Sequence, residues 1–139
     1  MKKMLMIALL AATPLTTTAI SAEATDANDR TLSAKGDATK GKREYNKCKM
    51  CHNLTKAARH RLGPNLNDLF GSKAGSKEGF RYSKALKEAD FVWTEEKLNK
   101  WLEKPRAFLP GNRMAFAGIR KEEARLNLLA YLREATSAK

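Results

Sequence analysis

The chain lacks the features on which several common protein classes depend. It has only two cysteines, four prolines and two histidines in 139 residues, which excludes a framework of several disulfides. It shows no internal repeat and no sustained strand-like alternation of apolar residues. No apolar run reaches the ~20 residues that a membrane-spanning helix needs. These absences favour a small all-α domain.

The first 24 residues have the pattern of a cleavable export signal. Lys2 and Lys3 give a positive start, and residues 4–12 form an apolar run that is too short to span a bilayer. Small residues follow, and they offer cleavage sites between Ser21 and Thr25. We therefore expect export to the periplasm, removal of the signal peptide (residues 1–24) and no stable membrane anchor.

Behind the signal peptide, the sequence predicts one domain. Residues 25–35 are polar and small, and they are predicted to form a flexible lead-in. Residues 36–139 then make up a single domain of ordinary size. The apolar inventory of this domain is modest, so a large buried cofactor would supply much of its core.

Acidic residues are also scarce. The chain has 27 Lys and Arg against 15 Asp and Glu, which gives a net charge of +12 at pH 7 with neutral histidines. A field of this sign steers a protein towards acidic partner surfaces. Nucleic acid is disfavoured, because the chain carries an export signal and no recognisable nucleic-acid-binding module. The expected partner is therefore a protein with an acidic face.

Residues 48–52 carry the most specific chemistry in the chain. Cys48, Cys51 and His52 form C-x-x-C-H, the spacing at which two thiols bond covalently to the two vinyl groups of one haem. The histidine that follows the second thiol then reaches the iron as an axial ligand. The motif therefore predicts one covalently bound haem c.

The second axial ligand decides between electron transfer and catalysis, because a filled position favours electron transfer and an open one favours ligand binding. Three of the five methionines lie in the signal peptide, and Met50 lies inside the thioether loop, on the side of His52. Met114 is therefore the methionine candidate. His60 is the competing ligand, but it lies only eight residues beyond His52, so a structural role in its loop is the preferred interpretation.

Periodicity and capping residues predict helices that are separated by long loops. Helices are predicted over residues 37–47, 83–88, 95–103 and 121–135, and loops over residues 53–79 and 104–118. Thr94 is the predicted N-cap of the third of these helices, and Pro105 is its predicted stop. Loops of this length in a compact domain indicate that they wrap something large.

Seven short blocks accompany the C-x-x-C-H motif in a defined order. They are GPNL at 63–66, LFG at 69–71, GFRY at 79–82, WTEE at 93–96, LEKP at 102–105, PGNRMAFAGI at 110–119 and AYL at 130–132. Each block alone is weak, but their order and spacing together are specific. Over about residues 36–136 the chain resembles the class I c-type cytochromes, of the mitochondrial cytochrome c and bacterial cytochrome c2 kind.

The resemblance implies an all-α cytochrome c fold with three main helices, short helices and long loops wrapped around one haem. It implies thioethers at Cys48 and Cys51 and axial ligation by His52 and Met114. It also implies a set of residues around the haem: Pro64 as hydrogen-bond acceptor for His52, Tyr82 and Trp93 at a propionate, Phe116 over the haem face, and Trp101 and Asn112 near Met114.

Some positions depart from the pattern of the family. Ser72 stands where relatives usually have an arginine near the propionates, and Leu86 replaces an asparagine. Trp101 replaces a tyrosine, and Asn112 replaces a threonine or serine. Losing charge-assisted donors favours ferric iron, whereas apolar replacement favours ferrous iron, so these departures predict no net direction for the reduction potential.

The function implied by the resemblance is that of a monomeric one-electron carrier and not an enzyme. It would take electrons from a quinol–cytochrome c reductase and pass them to a terminal oxidase, a photosynthetic reaction centre or another acceptor. Alignment with the family places seven basic residues around the haem edge as a docking surface for acidic partner faces: Lys47, Arg59, Arg61, Arg106, Arg113, Arg120 and Lys121.

Two other functions are weighed against this one. A haem enzyme or ligand sensor would need an open distal position and a distal acid–base group, and Met114 in its loop argues against that. A zinc or thiol–disulfide protein could use Cys48, Cys51, His52 and His60, but their spacing fits neither a usual zinc finger nor a thioredoxin motif.

Overall fold

A computed structural model describes residues 29–137, and within this range the chain is helical with no strand. The elements are α1 (Ala38–Glu44), α2 (Lys84–Lys87), α3 (Glu95–Glu103), α4 (Pro105–Phe108) and α5 (Glu122–Thr136), with 3-10 turns at Ser33–Lys35 and Tyr45–Lys47. An isolated bridge joins Lys73 to Val92. The predicted all-α class is confirmed, with α1, α3 and α5 as the main helices. The predicted signal peptide lies outside the described residues.

Side-chain caps set the start of three helices. The carboxylate of Asp37 accepts from the backbone N–H of Lys40 at 3.0 Å, and the hydroxyls of Ser83 and Thr94 cap α2 and α3 in the same way. Each cap satisfies an N–H that the first helical turn leaves without a partner. The predicted N-cap at Thr94 is therefore confirmed.

The segment after α3 differs from the prediction. Pro105 does end α3, which stops at Glu103, but residues 104–118 are not loop throughout, because α4 begins at Pro105 itself. Proline is favoured at the first position of a helix, where its fixed φ suits the turn and no N–H is needed. Pro105 thus ends α3 and also begins α4.

Helices α1 and α5 cross at Gly41. A Cβ at this position would lie 1.9 Å from the carbonyl oxygen of Asn127 and 2.8 Å from Cβ of Tyr131, so only glycine allows the two backbones to come this close. One turn later the rings of Tyr45 and Tyr131 meet with centroids 5.5 Å apart. This crossing fixes the chain just before the C-x-x-C-H motif against the C-terminal helix.

The apolar core is small and lies between α3, α5 and the loop before α2. Leu128 and Leu129 on α5 are fully buried, and Trp101 and Leu102 on α3 and Leu69 in the loop are nearly so. Most of these side chains also line the cavity described below. The cavity therefore lies within the core of the domain.

The N-terminal segment is attached to the domain by a buried charge network. Glu95 at the start of α3 is 1% exposed, and its Oε2 accepts from the backbone N–H groups of Leu32 and Ser33 at 2.9 and 2.8 Å. The guanidinium of Arg133 lies 2.8 Å from the carboxylate of Asp29 and 3.0 Å from that of Glu95. Residues 29–35 belong to the predicted lead-in, and this part of it makes specific contacts. The flexibility of the lead-in stays a prediction.

Between residues 29 and 137, no helix combines the length and the apolar character that crossing a bilayer requires.

Candidate haem site

A cavity of about 490 Å³ opens between the C-x-x-C-H segment, the loop before α2 and the loop after α4. Its volume falls in the roughly 300–1,000 Å³ range of cofactor sites. Its lining is mostly apolar and includes Cys48, Cys51, His52 and Met114. All four residues that the sequence assigns to haem attachment and ligation therefore line one cavity.

The C-x-x-C-H segment forms a tight turn that presents both thiols to the cavity. The backbone N–H groups of Cys51 and His52 donate to the carbonyl of Cys48 at 3.0 and 2.9 Å. The hydroxyl of Tyr45 donates to the carbonyl of His52 at 2.6 Å and fixes the end of the turn. Neither cysteine forms a disulfide, so both thiols are free for thioether bonds. Burial raises the pKa of Cys48 to about 11 and keeps this thiol protonated.

The imidazole of His52 is buried and oriented by backbone. Its Nδ1 lies 2.7 Å from the carbonyl oxygen of Pro64, which accepts the ring proton and leaves the lone pair on Nε2. A Cβ on Gly63 would lie 2.4 Å from Cε1 of the ring, so the glycine packs directly against it. Burial lowers the pKa of His52, and the bond to Pro64 opposes this in part. The neutral imidazole is the form that binds a metal.

Met114 is half-buried at the cavity, and Asn112 holds its backbone in place. The side-chain oxygen of Asn112 accepts from the N–H of Met114 at 3.0 Å. Its amide nitrogen donates to the carbonyls of Pro105 and Leu109 at 2.9 and 2.7 Å. Asn112 itself does not line the cavity. It acts on the site through the loop, by tying Met114 to α4.

The remaining predicted haem neighbours reach the cavity directly. Pro64, Tyr82, Trp93, Trp101 and Phe116 all line it. The indoles of Trp93 and Trp101 pack edge to face with centroids 5.3 Å apart. Burial raises the pKa of Tyr82, so its phenol stays neutral and able to donate. The structure thus brings these five side chains together around one cavity.

An aromatic cluster supports the two tryptophans, and the sequence analysis did not predict it. The ring of Phe91 lies edge to face on Trp93 at 4.9 Å, and Phe108 contacts Trp93 and Trp101 at 6.4 and 6.0 Å. Phe108 belongs to α4, the helix that the sequence analysis placed in a loop. Because α4 was not predicted, the contact of Phe108 with the two indoles was not predicted either.

The chain is similar to known cytochromes along most of its length. It is 46% identical to cytochrome c of Chlamydomonas reinhardtii over 103 residues, which cover 73% of this chain and 92% of that protein. It is 41% identical to cytochrome c2 of Rhodomicrobium vannielii over 99 residues, 71% of this chain and 79% of that protein. No protein-family model matches the chain.

A solved structure agrees with these relatives. Cytochrome cH from Methylobacterium extorquens superimposes with a TM-score of 0.67 at 35% identity and covers 71% of this chain and 99% of that one. The chain belongs to the class I c-type cytochromes. Its cofactor is one covalently bound haem c. The lining fits this group, because two free thiols, a neutral imidazole and a thioether share one otherwise apolar cavity.

His60 has a structural place in this cytochrome. Its Nε2 donates to the carbonyl of Glu78 at 2.7 Å, and its Nδ1 accepts from the backbone N–H of Asn65 at 2.9 Å. Both ring nitrogens are therefore engaged in the loop. Among residues 29–137, no three His, Cys, Asp or Glu side chains group closely enough to hold a metal ion.

Within the described part of the chain, the charged residues that line the cavity of the cytochrome are all basic. They are Lys47, Lys73, Lys77, Arg81 and Arg113. Only Lys47 and Arg113 belong to the predicted docking surface; Arg59, Arg61, Arg106, Arg120 and Lys121 are exposed but do not line the cavity. Sequence analysis did not assign Lys73, Lys77 and Arg81 to the cavity, although Lys73 and Lys77 lie between two matching blocks and Arg81 lies within one.

Proposed function

We propose that this cytochrome is a periplasmic one-electron carrier in which Cys48 and Cys51 hold the haem and His52 and Met114 ligate its iron. Haem c supplies reversible one-electron exchange between ferric and ferrous iron. The observation that carries the proposal is that an oriented, neutral imidazole and a braced methionine line the same apolar cavity as two free thiols.

The two proposed ligands are held by separate parts of the chain: backbone groups orient His52, and a side-chain amide holds the backbone of Met114. Pro64 and Gly63 orient His52, and Asn112 ties Met114 to α4. Neither arrangement depends on the charge of the iron, so we infer that both ligands stay in place in both oxidation states. Ligation by Met and His favours the reduced form and keeps the potential high.

The cavity lining also supports a carrier over a haem enzyme. Among residues 29–137, His52 is the one histidine that lines the cavity, and no Asp or Glu lines it. A peroxidase-like function would need a distal acid–base group beside an open position. The lining offers Met114 and aromatic rings instead of such a carboxylate or a second imidazole.

The cavity mouth supports docking to acidic partner faces. Leu62 lines the cavity and is 83% exposed, and Met50 is 76% exposed in the thioether loop. Lys47 and Arg113 lie at the same cavity, and Arg61 donates to the carbonyl of Lys49 at 2.9 Å. An apolar centre with a charged rim is the usual anatomy of a protein interface. We infer a monomer that binds its redox partners transiently through this face.

The donor and acceptors proposed here follow the family. We infer that a quinol–cytochrome c reductase reduces the carrier, and that a terminal oxidase, a photosynthetic reaction centre or another terminal acceptor oxidises it. The export signal at residues 1–24 supports a periplasmic location.

The test begins with the exported protein itself. Mass spectrometry of the periplasmic fraction should show a chain that has lost its signal peptide and gained one haem. Transient kinetics with each candidate acceptor in turn should then show rapid one-electron oxidation by at least one of them, with a rate that falls as salt rises. A mature chain without the added mass, or rates independent of salt, would contradict the attachment and the docking face respectively.

A further inference from the structure

One basic residue at the cavity differs from the other four in its burial. Lys47, Lys73, Arg81 and Arg113 are exposed, whereas Lys77 is half-buried. Its ammonium donates to the backbone carbonyl of Asn67, which holds the side chain inward against the preceding loop. Burying a cation costs free energy unless an anion or several acceptors offset it. An anion in the cavity would therefore stabilise the half-buried ammonium of Lys77.

The cofactor brings such an anion. Haem c carries two propionate carboxylates, and an apolar cavity without an opposing charge is a poor place for them. An ammonium has three donors, and the carbonyl of Asn67 accounts for one of those on Lys77. Tyr82, a residue that the family resemblance places at a propionate, lines the same cavity as Lys77. Lys77 and Tyr82 thus lie around one cavity.

Three other residues at the cavity have partners elsewhere. Lys73 lies 3.3 Å from the carboxylate of Asp90 at the surface. Arg113 donates to the carbonyl of Arg81 at 2.6 Å. Ser72, which stands where relatives usually have an arginine, donates its hydroxyl to the carbonyl of Leu69 at 2.7 Å and carries no charge.

We propose that Lys77 is a positioning residue for the haem and that the ammonium of Lys77 offsets the charge of a propionate. The uncharged Ser72 cannot supply this positive charge. The inference rests on the proposed haem site. A fixed positive charge near the cofactor disfavours the ferric state, which carries one more positive charge than the ferrous state. Lys77 thereby raises the reduction potential.

The experiment compares neutral and charged variants of the haem-loaded protein at one fixed ambient potential. Lys77→Gln keeps a donor for the carbonyl of Asn67 but removes the charge, and it should lower the ferrous-to-ferric ratio a few-fold. Lys77→Met, which keeps only the apolar stem, should lower the ratio at least as far. Lys77→Arg should restore it. Because the side chain is half-buried, the difference should persist at high salt.

The control is Lys73→Gln, which removes a charge from the same cavity at an exposed, ion-paired position. Its effect should be smaller and should fade as salt rises. An unchanged ratio in both neutral Lys77 variants, or an equal effect from Lys73→Gln, would overturn the assignment of Lys77. A wild-type protein without a reversible low-spin haem spectrum would instead overturn the proposed haem site, so the two failures are distinguishable.

Discussion

The two sides of the haem cavity are built in different ways. The side of His52 is local: the proposed attachment cysteines, the proposed ligand and the carbonyl that orients it all lie between Cys48 and Pro64, and Gly63 packs on the ring itself. The side of Met114 is remote, since its place depends on one amide, Asn112, that reaches back to α4. Substitutions that add bulk should therefore disrupt the histidine side. Substitutions that remove hydrogen bonds should disrupt the methionine side.

The largest effect should come from filling the space at Gly63. A Cβ there would lie 2.4 Å from the His52 ring, and Gly63→Val adds two methyl groups beyond it. We expect a loss of about 3 kcal/mol in the free energy of unfolding and a poor yield of haem-loaded protein. Denaturant unfolding and haem content measure the two effects.

A matched change at another glycine serves as the control. Gly71 has a positive φ of 78°, and no atom of the described residues lies within 4 Å of a Cβ built there. Asparagine tolerates this conformation, so Gly71→Asn should cost at most about 1 kcal/mol. Equal losses at both glycines would show that contact with His52 is not the reason.

On the methionine side, Asn112→Ala removes three hydrogen bonds at once. We expect a loss of about 2 kcal/mol in stability. The methionine–iron absorption band should weaken while the thioether-linked haem is retained, because the histidine side is untouched. Asn46→Ala, at an exposed position in the turn before the motif, should leave the band as it is. An intact band in Asn112→Ala would show that the loop holds Met114 without this amide.

Alkaline pH should weaken the histidine side through Tyr45. Burial raises the pKa of this phenol from 10.0 to about 12, and its hydroxyl donates to the carbonyl of His52. Since the folded state holds the proton more tightly, this contribution to stability is complete below pH 10 and is lost as pH rises through about 12. Denaturant unfolding at a series of pH values should show the loss in wild type, and Tyr45→Phe should flatten it. The same slope in both proteins would rule Tyr45 out.

The smallest effect concerns docking. Arg113 lines the cavity and Arg120 does not, although both belong to the predicted docking surface. Arg113→Gln should therefore slow association with an acidic redox partner more than Arg120→Gln does, and both differences should shrink as salt rises. Stopped-flow rates at low and high salt make the comparison. A greater loss for Arg120→Gln would move the docking face away from the cavity.

The sequence predicts most of the local side of the site. The spacing C-x-x-C-H is typical of covalent haem attachment, so roles for Cys48, Cys51 and His52 could be predicted from it. Elimination made Met114 the methionine candidate, because the other methionines lie in the predicted signal peptide or in the predicted thioether loop. Caps such as Thr94 are also local, since a side chain there reaches only the next turn.

What the sequence did not predict depends on contacts between distant segments. Asp29 and Arg133 are 104 residues apart, and nothing in either segment indicates that they pair around Glu95. The bracing role of Asn112 depends on carbonyls that α4 presents, and that helix follows a proline that seemed only to end the previous one. Burial of Lys77 likewise follows from a hydrogen bond to a backbone group of another loop.

The spin state of the ferric protein tests the central claim most directly. Two methionines lie near the haem segment, and Met114 lines the cavity whereas Met50 is exposed. Absorption spectra of Met114→Ala and Met50→Ala, each compared with wild type, should show loss of the methionine–iron band and a high-spin contribution in the first variant alone. A low-spin spectrum with the band intact in Met114→Ala would contradict the account, because the iron would then take its second ligand from elsewhere.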